Sequence, residues 1–173
     1  MLPITPSQNV SQIYYLYINF VLININYFPG AANSSDWIHL NSIDYNPTLD
    51  QILVSSHNFN EVWIIDHSTT TAQAATHSGG NSGKGGDLLY RWGNPQAYQR
   101  GNPTTKVFFG QHHATWIPNG YPNAGKIIVF NNGLNRPGTY SSIDMIDPPL
   151  NSSNIYDVPV TTAFLPTSLF WSY

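Results

Sequence analysis

Two adjacent histidines, His112 and His113, stand directly before a short apolar stretch, Ala114 to Ile117. Because strand residues alternate between faces, the two side chains should point in opposite directions, and only one of them should face a given pocket. An imidazole at the mouth of a strand suits a nucleophile or a proton carrier. The alternative is a histidine that is simply hydrogen-bonded within a sheet.

A second chemical feature is the pair His39 and Asn41, which are separated by one residue. A strand would direct both side chains to the same face, where both could donate hydrogen bonds to one ligand. By itself this spacing is more typical of a hydrogen bond at a turn or strand end. His67 and His77 have no such partner, and the turn and glycine-rich residues that follow them predict solvated side chains.

Short apolar segments must position these histidines. They lie at 36–45, 51–56, 61–66 and 87–92 in the first half and at 114–117, 126–130, 140–146 and 169–173 in the second. His112 follows His39 by 73 residues and Tyr173 follows Trp92 by 81, so the second half repeats the layout of the first. Two four-stranded units of similar length are typical of propeller blades.

The repeat predicts an all-β fold, a β-propeller fragment of about two four-stranded antiparallel blades. We expect one blade at 36–92, a linker at 93–107 and a second blade at 108–173. Two blades cannot close a ring, so we expect this chain to be a piece of a longer protein. Open blade edges and apolar faces would favour self-association of such a piece.

Composition excludes several classes of partner. The chain has 173 residues, 13 Gly, 13 Pro and an aromatic fraction of 14%, which suits short strands and turns. Only 9% of its residues are charged and its net charge is −3, so no basic surface is expected for nucleic acid. The absence of cysteine removes disulfides and thiolate metal sites but indicates no compartment.

Residues 1–35 form a lead-in segment. Its apolar part, Ile13 to Phe28, is short for a membrane span, contains three asparagines and has no Lys or Arg before it, so we expect no stable span. The alternation from Ile23 to Tyr27 predicts a strand. A cleaved leader is the alternative.

A glycine-rich segment at 78–86 invites comparison with a phosphate-binding loop. Ser78 stands where that motif requires its first glycine, and Gly85 stands where it requires Ser or Thr. We therefore expect a flexible loop between strands. The alternative is that its backbone amides approach an anion.

From about Asp36 to Tyr173 the chain resembles the bacterial arylsulfate sulfotransferase family. The phrases that carry the resemblance occur in order: Asp36-Trp37-Ile38-His39-Leu40-Asn41-Ser42, residues 52–66, Leu89-Tyr90-Arg91-Trp92-Gly93-Asn94-Pro95, Phe109-Gly110-Gln111-His112 and Val129-Phe130-Asn131-Asn132-Gly133. The resemblance implies a six-bladed propeller, periplasmic or secreted, that moves a sulfuryl group from a phenolic sulfate to a phenol. It implies a transient sulfohistidine, no nucleotide sulfate donor and no cofactor. It also implies further blades and another active-site histidine outside this chain.

The resemblance also implies roles for individual residues. His112 matches the family's nucleophilic histidine, and His39 and Asn41 match its sulfate-contacting pair. His57 occupies a place where some members have arginine. That departure puts anion binding at His57 in doubt, because a guanidinium is always charged and a histidine is only partly charged near neutrality.

Two other functions compete with sulfuryl transfer. One is a non-catalytic propeller segment that binds a ligand or a protein. The other is a metal-dependent hydrolase with His39, His57 and His112 as ligands, which no His-x-His or His-Glu-x-x-His motif supports.

The transferase hypothesis makes a geometric demand. His39, Asn41, His57 and His112 should meet at one end of the strands, with His112 no more than about 12 Å from His39. Even so, we expect the 173-residue chain alone to show no turnover, because an unclosed propeller leaves the site open to water.

Overall fold

The structure, a computed structural model, describes residues 21–27 and 35–173. Its strands form two four-stranded antiparallel sheets, in the order β1-β2-β3-β4 and β5-β6-β7-β8. The predicted all-β fold is confirmed, and the two sheets are consistent with a propeller-like fragment.

The first sheet consists of β1 (Leu40–Asn46), β2 (Gln51–Ser56), β3 (Glu61–Asp66) and β4 (Tyr90–Trp92). The second consists of β5 (His112–Trp116), β6 (Ile127–Asn131), β7 (Ser142–Ile146) and β8 (Trp171–Ser172). The helical elements that lie wholly within the described residues are short: α1 (Thr71–Ala74) and two 3-10 turns, Pro95–Tyr98 and Pro103–Thr105. Every strand overlaps a predicted segment.

Asparagine and aspartate close the hairpins of the first sheet. The side-chain oxygen of Asn46 accepts hydrogen bonds from the backbone nitrogens of Thr48 and Leu49, at 3.0 and 3.1 Å. Asp50 and Asn60 adopt φ values of 51° and 56°, a left-handed conformation that these two residue types tolerate. Both turns therefore follow from local sequence.

One buried hydrophobic cluster contains residues of both sheets. Ile64 of the first sheet and Ile127 of the second are completely buried within it. Trp92 packs edge-on against Phe108 at 5.1 Å between ring centroids, and its Nε1 donates to the backbone oxygen of Pro166 at 2.7 Å. Each fully buried side chain of this kind stabilises the fold by about 1.5–3 kcal/mol, which holds the two sheets together.

Side chains of β1 are hydrogen-bonded to the backbone of β5. Ser42 Oγ accepts from the backbone nitrogen of Ala114 at 2.9 Å, and the carboxylate of Asp44 accepts from the backbone nitrogen of Trp116 at 2.8 Å. These bonds satisfy β5 amides that would otherwise be unpaired. They place the beginnings of the two strands side by side.

A buried ion pair attaches the lead-in segment to the first sheet. Arg91 and Glu61 are both completely buried and form two hydrogen bonds, and Arg91 Nη1 also donates to the backbone oxygen of Leu22 at 3.0 Å. Removing one member of such a pair leaves the other charge buried, which costs about 3–5 kcal/mol.

The lead-in residues that the structure describes form a turn where a strand was predicted. The backbone nitrogens of Asn26 and Tyr27 donate to the side chain and the backbone oxygen of Asn24, each at 3.0 Å. These local hydrogen bonds stabilise a turn in place of the strand that the apolar alternation predicted. The rest of the predicted apolar stretch, 13–20 and 28, lies outside the described residues. No helix within the described ranges is long and apolar enough to cross a membrane.

The glycine-rich segment closes around a carboxylate of the protein itself. Asp66 accepts hydrogen bonds from the backbone nitrogens of Ser68 and Ser82, at 2.9 and 2.8 Å. The amides of Gly83 and Gly85 donate to backbone oxygens within the segment. The amides of Ser82, Gly83 and Gly85 are therefore already hydrogen-bonded within the protein and are not available to an external anion.

Candidate active site

Three histidines from the two sheets meet at one place. His39 lies immediately before β1, His57 directly follows β2, and His112 is the first residue of β5. The ring centroids are 4.7 Å apart for His39 and His57, 5.3 Å for His57 and His112, and 6.2 Å for His39 and His112. This geometry meets the expected limit of about 12 Å. Three imidazoles this close together can reach a single small anion.

The β1–β2 hairpin brings two of these histidines together. The backbone nitrogen of His57 donates to the backbone oxygen of His39 at 3.0 Å. His39 itself has a φ of 49° and precedes the strand, and a register shift between Leu40 and Ser42 leaves Asn41 unpaired. The strand alternation on which the pairing of His39 with Asn41 was predicted therefore does not hold, because a bulge interrupts it.

Asn41 is attached to the segment that carries His112. Its side-chain Nδ2 donates to the backbone oxygen of Gln111 at 2.7 Å. Its Oδ1 is buried and has no hydrogen-bond partner among the described residues. The amide therefore keeps one N–H group and its oxygen for a ligand.

A β-bulge at the start of β5 separates the two adjacent histidines. His112 pairs with Phe130 and Thr115 pairs with Ile128, so two residues of β5 oppose one residue of β6. His113 lies in the bulge with a φ of 56° and is exposed, whereas His112 is half-buried. The two side chains therefore differ in exposure, and the bulge interrupts the regular alternation from which their opposite directions were predicted.

The Nδ1 atoms of His39 and His57 already have oxygen partners. His39 Nδ1 contacts the carboxylate of Asp36, and His57 Nδ1 lies 2.8 Å from Oδ1 of Asn58. An oxygen acceptor requires that each Nδ1 carry the hydrogen. Each ring can then donate through Nε2 only in its protonated form, so the pair suits an anion when charged.

The Nδ1 atom of His112 also has partners, whereas its Nε2 forms no hydrogen bond within the described part of the chain. Nδ1 lies 3.1 Å from the backbone oxygen of Gly110 and 2.9 Å from Nδ2 of Asn132. The ring is therefore held from its Nδ1 side. Nε2 is the nitrogen that can react.

The segment before β5 is fastened to the turn that carries His57. The backbone nitrogen of Gly110 donates to Oδ1 of Asn60 at 2.7 Å. Gly110 has a φ of 66°, and a Cβ at this position would lie 2.8 Å from Nε2 of His57. Only glycine fits, because a side chain would be strained and would displace the His57 ring.

Gln111 locks the same segment from inside the core. It is completely buried, and its Nε2 lies 3.0 Å from Ser55 Oγ and 2.9 Å from the backbone oxygens of Ser56 and Glu61. Its neighbour His112 is thereby fixed relative to the β2–β3 hairpin.

Sequence reasoning did not single out four residues that support the histidines: Asp36, Gly110, Gln111 and Asn132. All four lie within the phrases that carried the family resemblance. Their spacing contains no recognisable motif. The signal that could have found them was their position beside the matched histidines.

Two histidines outside this cluster have partners that the sequence did not predict. His67 Nδ1 lies 2.7 Å from Asp50 Oδ1, and His77 Nδ1 lies 2.6 Å from Asp87 Oδ1, although each side chain is about half exposed. Hydrogen bonds from His67, the larger effect, and from Tyr45 lower the pKa of the Asp50 carboxyl below its ordinary value. These two pairs link residues of neighbouring turns at the protein surface.

A metal site at the three histidines has no support from the side-chain positions. Their Nδ1 atoms have the protein partners described above. Across residues 21–27 and 35–173, no group of three or more His, Cys, Asp or Glu side chains is placed to hold a metal ion.

Comparison with known proteins identifies the family of the chain. The family model for arylsulfotransferase (ASST) matches residues 18–173, which includes His39, Asn41, His57 and His112. No curated protein matches the chain. Because the family model covers most of its length, this chain belongs to the arylsulfotransferase (ASST) family.

Proposed function

We propose that this protein transfers a sulfuryl group from a phenolic sulfate to a phenol, with His112 as the nucleophile. The observation that carries the proposal is the meeting of His39, His57 and His112, with no two ring centroids more than 6.2 Å apart. Sulfuryl transfer resembles phosphoryl transfer in that it requires an in-line nucleophile and stabilised charge on oxygen, and little else from the protein. No cofactor enters the scheme.

The reaction has two displacement steps. In the first, the Nε2 lone pair of neutral His112 attacks sulfur, an N–S bond forms, and the S–O bond to the aryl group breaks to release a phenolate. In the second, the oxygen of an acceptor phenol attacks sulfur, the N–S bond breaks, and the phenol proton leaves to the solvent or to the released phenolate. The enzyme returns to its starting state, which gives ping-pong kinetics.

The neighbouring side chains stabilise the transferred group. His39 and His57 donate from Nε2 when protonated, and Asn41 donates its remaining amide hydrogen. His57 takes the place of an arginine found in some members of the family. Its donation depends on protonation, which a guanidinium does not require.

We further propose that the two sheets are successive blades, within the intervals 36–92 and 108–173, of a six-bladed propeller. The common strand order of the sheets supports this proposal. The complete ring would be periplasmic or secreted, as the family resemblance implies. Closing the ring would exclude water from the histidine cluster.

Trapping the covalent intermediate tests the proposal. The intact protein is incubated with a phenyl sulfate and no acceptor, and its mass is measured. We expect one added sulfuryl group, which disappears when a phenol is supplied. His112→Ala should abolish both the adduct and turnover, whereas His113→Ala, the matched control, should retain both.

An adduct that persists in the His112→Ala variant would show that the nucleophile lies elsewhere. Saturable binding of the aryl sulfate with no adduct and no turnover in the intact protein would favour the non-catalytic binding module.

A further inference from the structure

Two groups make incompatible demands on the Nδ1 atom of His112. The backbone oxygen of Gly110, 3.1 Å away, can only accept a hydrogen bond and requires a hydrogen on Nδ1. The Nδ2 atom of Asn132, 2.9 Å away, can only donate and requires a lone pair there. One neutral nitrogen cannot carry a hydrogen and a lone pair at the same position. Either the Gly110 contact is not a hydrogen bond, or the Asn132 amide presents its oxygen to the ring.

The Gly110 carbonyl cannot change, because its peptide is fixed. The Gly110 nitrogen donates to Asn60 at 2.7 Å, and the next residue, Gln111, is completely buried and hydrogen-bonded through its side chain. The Asn132 amide can change. Turning it by half a revolution exchanges its nitrogen and oxygen with almost no change in shape.

The main chain of Asn132 is well placed to hold such an amide beside the ring. Its backbone oxygen accepts a hydrogen bond from Ser141 Oγ at 3.0 Å. Two residues later, the backbone nitrogen of Leu134 donates to the backbone oxygen of Phe109 at 2.9 Å. The turn after β6 is thereby fastened to the segment that leads into His112.

We propose that Asn132 is a positioning residue whose side-chain oxygen, together with the Gly110 carbonyl, accepts from Nδ1–H of His112 and selects the tautomer with a lone pair on Nε2. This role rests on the proposed function, in which Nε2 is the attacking atom. The opposite tautomer carries a hydrogen on Nε2 and cannot attack sulfur.

The same pair of oxygens also serves the covalent state. When Nε2 bonds to sulfur, the imidazole becomes cationic and keeps its Nδ1 hydrogen. Hydrogen bonds from a charged donor are stronger than neutral ones, so both acceptors stabilise the adduct more than the free ring. Asn132 therefore lowers the barrier to forming the intermediate without touching the substrate.

Nitrogen NMR of the full chain labelled with ¹⁵N-histidine tests this role without relying on activity. The chain contains six histidines, and His112→Gln identifies the His112 signals. We expect neutral His112 in the unaltered protein to carry its hydrogen on Nδ1. Asn132→Asp, which offers only oxygen, should keep this tautomer, whereas Asn132→Ala should give a mixture.

Activity of the intact protein provides the second readout. Asn132→Ala should lower kcat/KM by roughly 10- to 100-fold, which is less than the roughly 10⁴-fold loss known for a catalytic histidine locked in the wrong tautomer, because the Gly110 carbonyl remains. Asn132→Asp should recover part of that loss. Asn119→Ala, at an exposed site in the β5–β6 hairpin, is the matched control and should change neither readout.

A neutral His112 that carries its hydrogen on Nε2 in the unaltered protein would overturn the proposal, as would equal tautomer populations in the Asn132→Ala variant and the unaltered protein. Failure of the proposed function gives a different result. In that case the Nδ1–H tautomer is present and depends on Asn132, but the sulfuryl adduct does not require His112.

Discussion

The histidines of this protein differ in chemistry because their neighbours differ. Gly110 and Asn132 contact the Nδ1 atom of His112, and no described residue forms a hydrogen bond with its Nε2. The Nδ1 atoms of His39 and His57 face oxygen acceptors, so each ring donates from Nε2 when it is protonated. In that form the two rings suit the binding of a negative charge. The proposed transfer of an anionic group requires this combination of one ring with an available lone pair and neighbouring groups that can donate hydrogen bonds.

At the residue scale, loss of a donor should slow transfer without abolishing it. We expect His39→Ala or Asn41→Ala to lower kcat by roughly 10²- to 10³-fold, the usual effect of removing one preorganised oxyanion donor. Steady-state kinetics with a phenyl sulfate donor measure this. Thermal unfolding should show a larger loss of stability for Asn41→Ala than for His39→Ala, because Asn41 donates a hydrogen bond to Gln111 and His39 is exposed. A decrease in kcat of less than about threefold in both variants would show that neither residue stabilises the transferred group.

At the element scale, the bulges and the turn contacts determine where the histidines point. The first strand of each sheet carries a register shift near its first residues, in β1 at Asn41 and in β5 just after His112. Bulges are common next to active sites because they redirect side chains away from strict alternation. The site therefore depends on features that interrupt the regular sheet.

Gly110 offers a direct test of this dependence. Gly110→Ala should reduce kcat/KM at least about tenfold, because the new Cβ would lie 2.8 Å from His57 Nε2. The matched control is Gly120→Ala, which also has a positive φ, 92°, but has no atom within 4 Å of a Cβ. Both changes should cost about 1–2 kcal/mol of stability from backbone strain. Equal activity of the two variants would show that the close approach of Gly110 to His57 is not needed for activity.

The contacts of Asp66 predict a pH dependence of stability. Burial raises the pKa of its carboxyl, but hydrogen bonds from Ser68 and Ser82 outweigh that effect, so its pKa lies below the ordinary value. A depressed pKa in the folded state contributes stability above the unfolded pKa of about 3.9, and this contribution is lost as the pH falls through the folded pKa.

Thermal unfolding of Asp66→Asn measures this contribution. At neutral pH the variant should be less stable by about 1.5–3 kcal/mol, the range for hydrogen bonds to a charged group. The difference should shrink as the pH falls below about 4, because asparagine does not titrate. Asp157→Asn, at an exposed carboxylate, should show no such trend. A constant difference at all pH values would contradict the account.

At the scale of the whole molecule, the second sheet presents an apolar face to solvent. Phe130, Ile143, Trp171 and Tyr173 are 44%, 40%, 46% and 87% exposed. Phe130 pairs with Ile143 across β6 and β7, and the backbone nitrogen of Tyr173 donates to the backbone oxygen of Ile143. Contiguous apolar surface of this kind usually contacts another protein surface.

We therefore expect the isolated 173-residue chain to self-associate in a concentration-dependent manner. Light scattering after size-exclusion chromatography measures the mass. Ile143→Lys should shift the chain towards the monomer, because a charge on the apolar face is costly to bury. Ile155→Lys, at a residue 43% exposed outside the strands, is the control. A monomer at all concentrations would contradict the expectation.

The sequence by itself determined the order and kind of the elements. Alternating apolar residues and turn-forming Asn, Asp and Pro are local signals, so strands such as Gln51–Ser56 and Glu61–Asp66 matched their predictions. Where a stronger local bond competed, the pattern misled: Asn24 turned the stretch at 23–27 away from the predicted strand. The family phrases also identified His39, Asn41, His57 and His112 as the residues to consider.

Only the tertiary structure decided how those residues are supported. The bond from Asn41 to Gln111 and those from Ser42 and Asp44 to β5 join positions some 70 residues apart. They form only because β1 lies along β5, and no local pattern encodes that contact. The partners of the His112 ring likewise depend on how the turn after β6 meets the segment before β5, since a hydrogen bond is made or lost within a few tenths of an ångström.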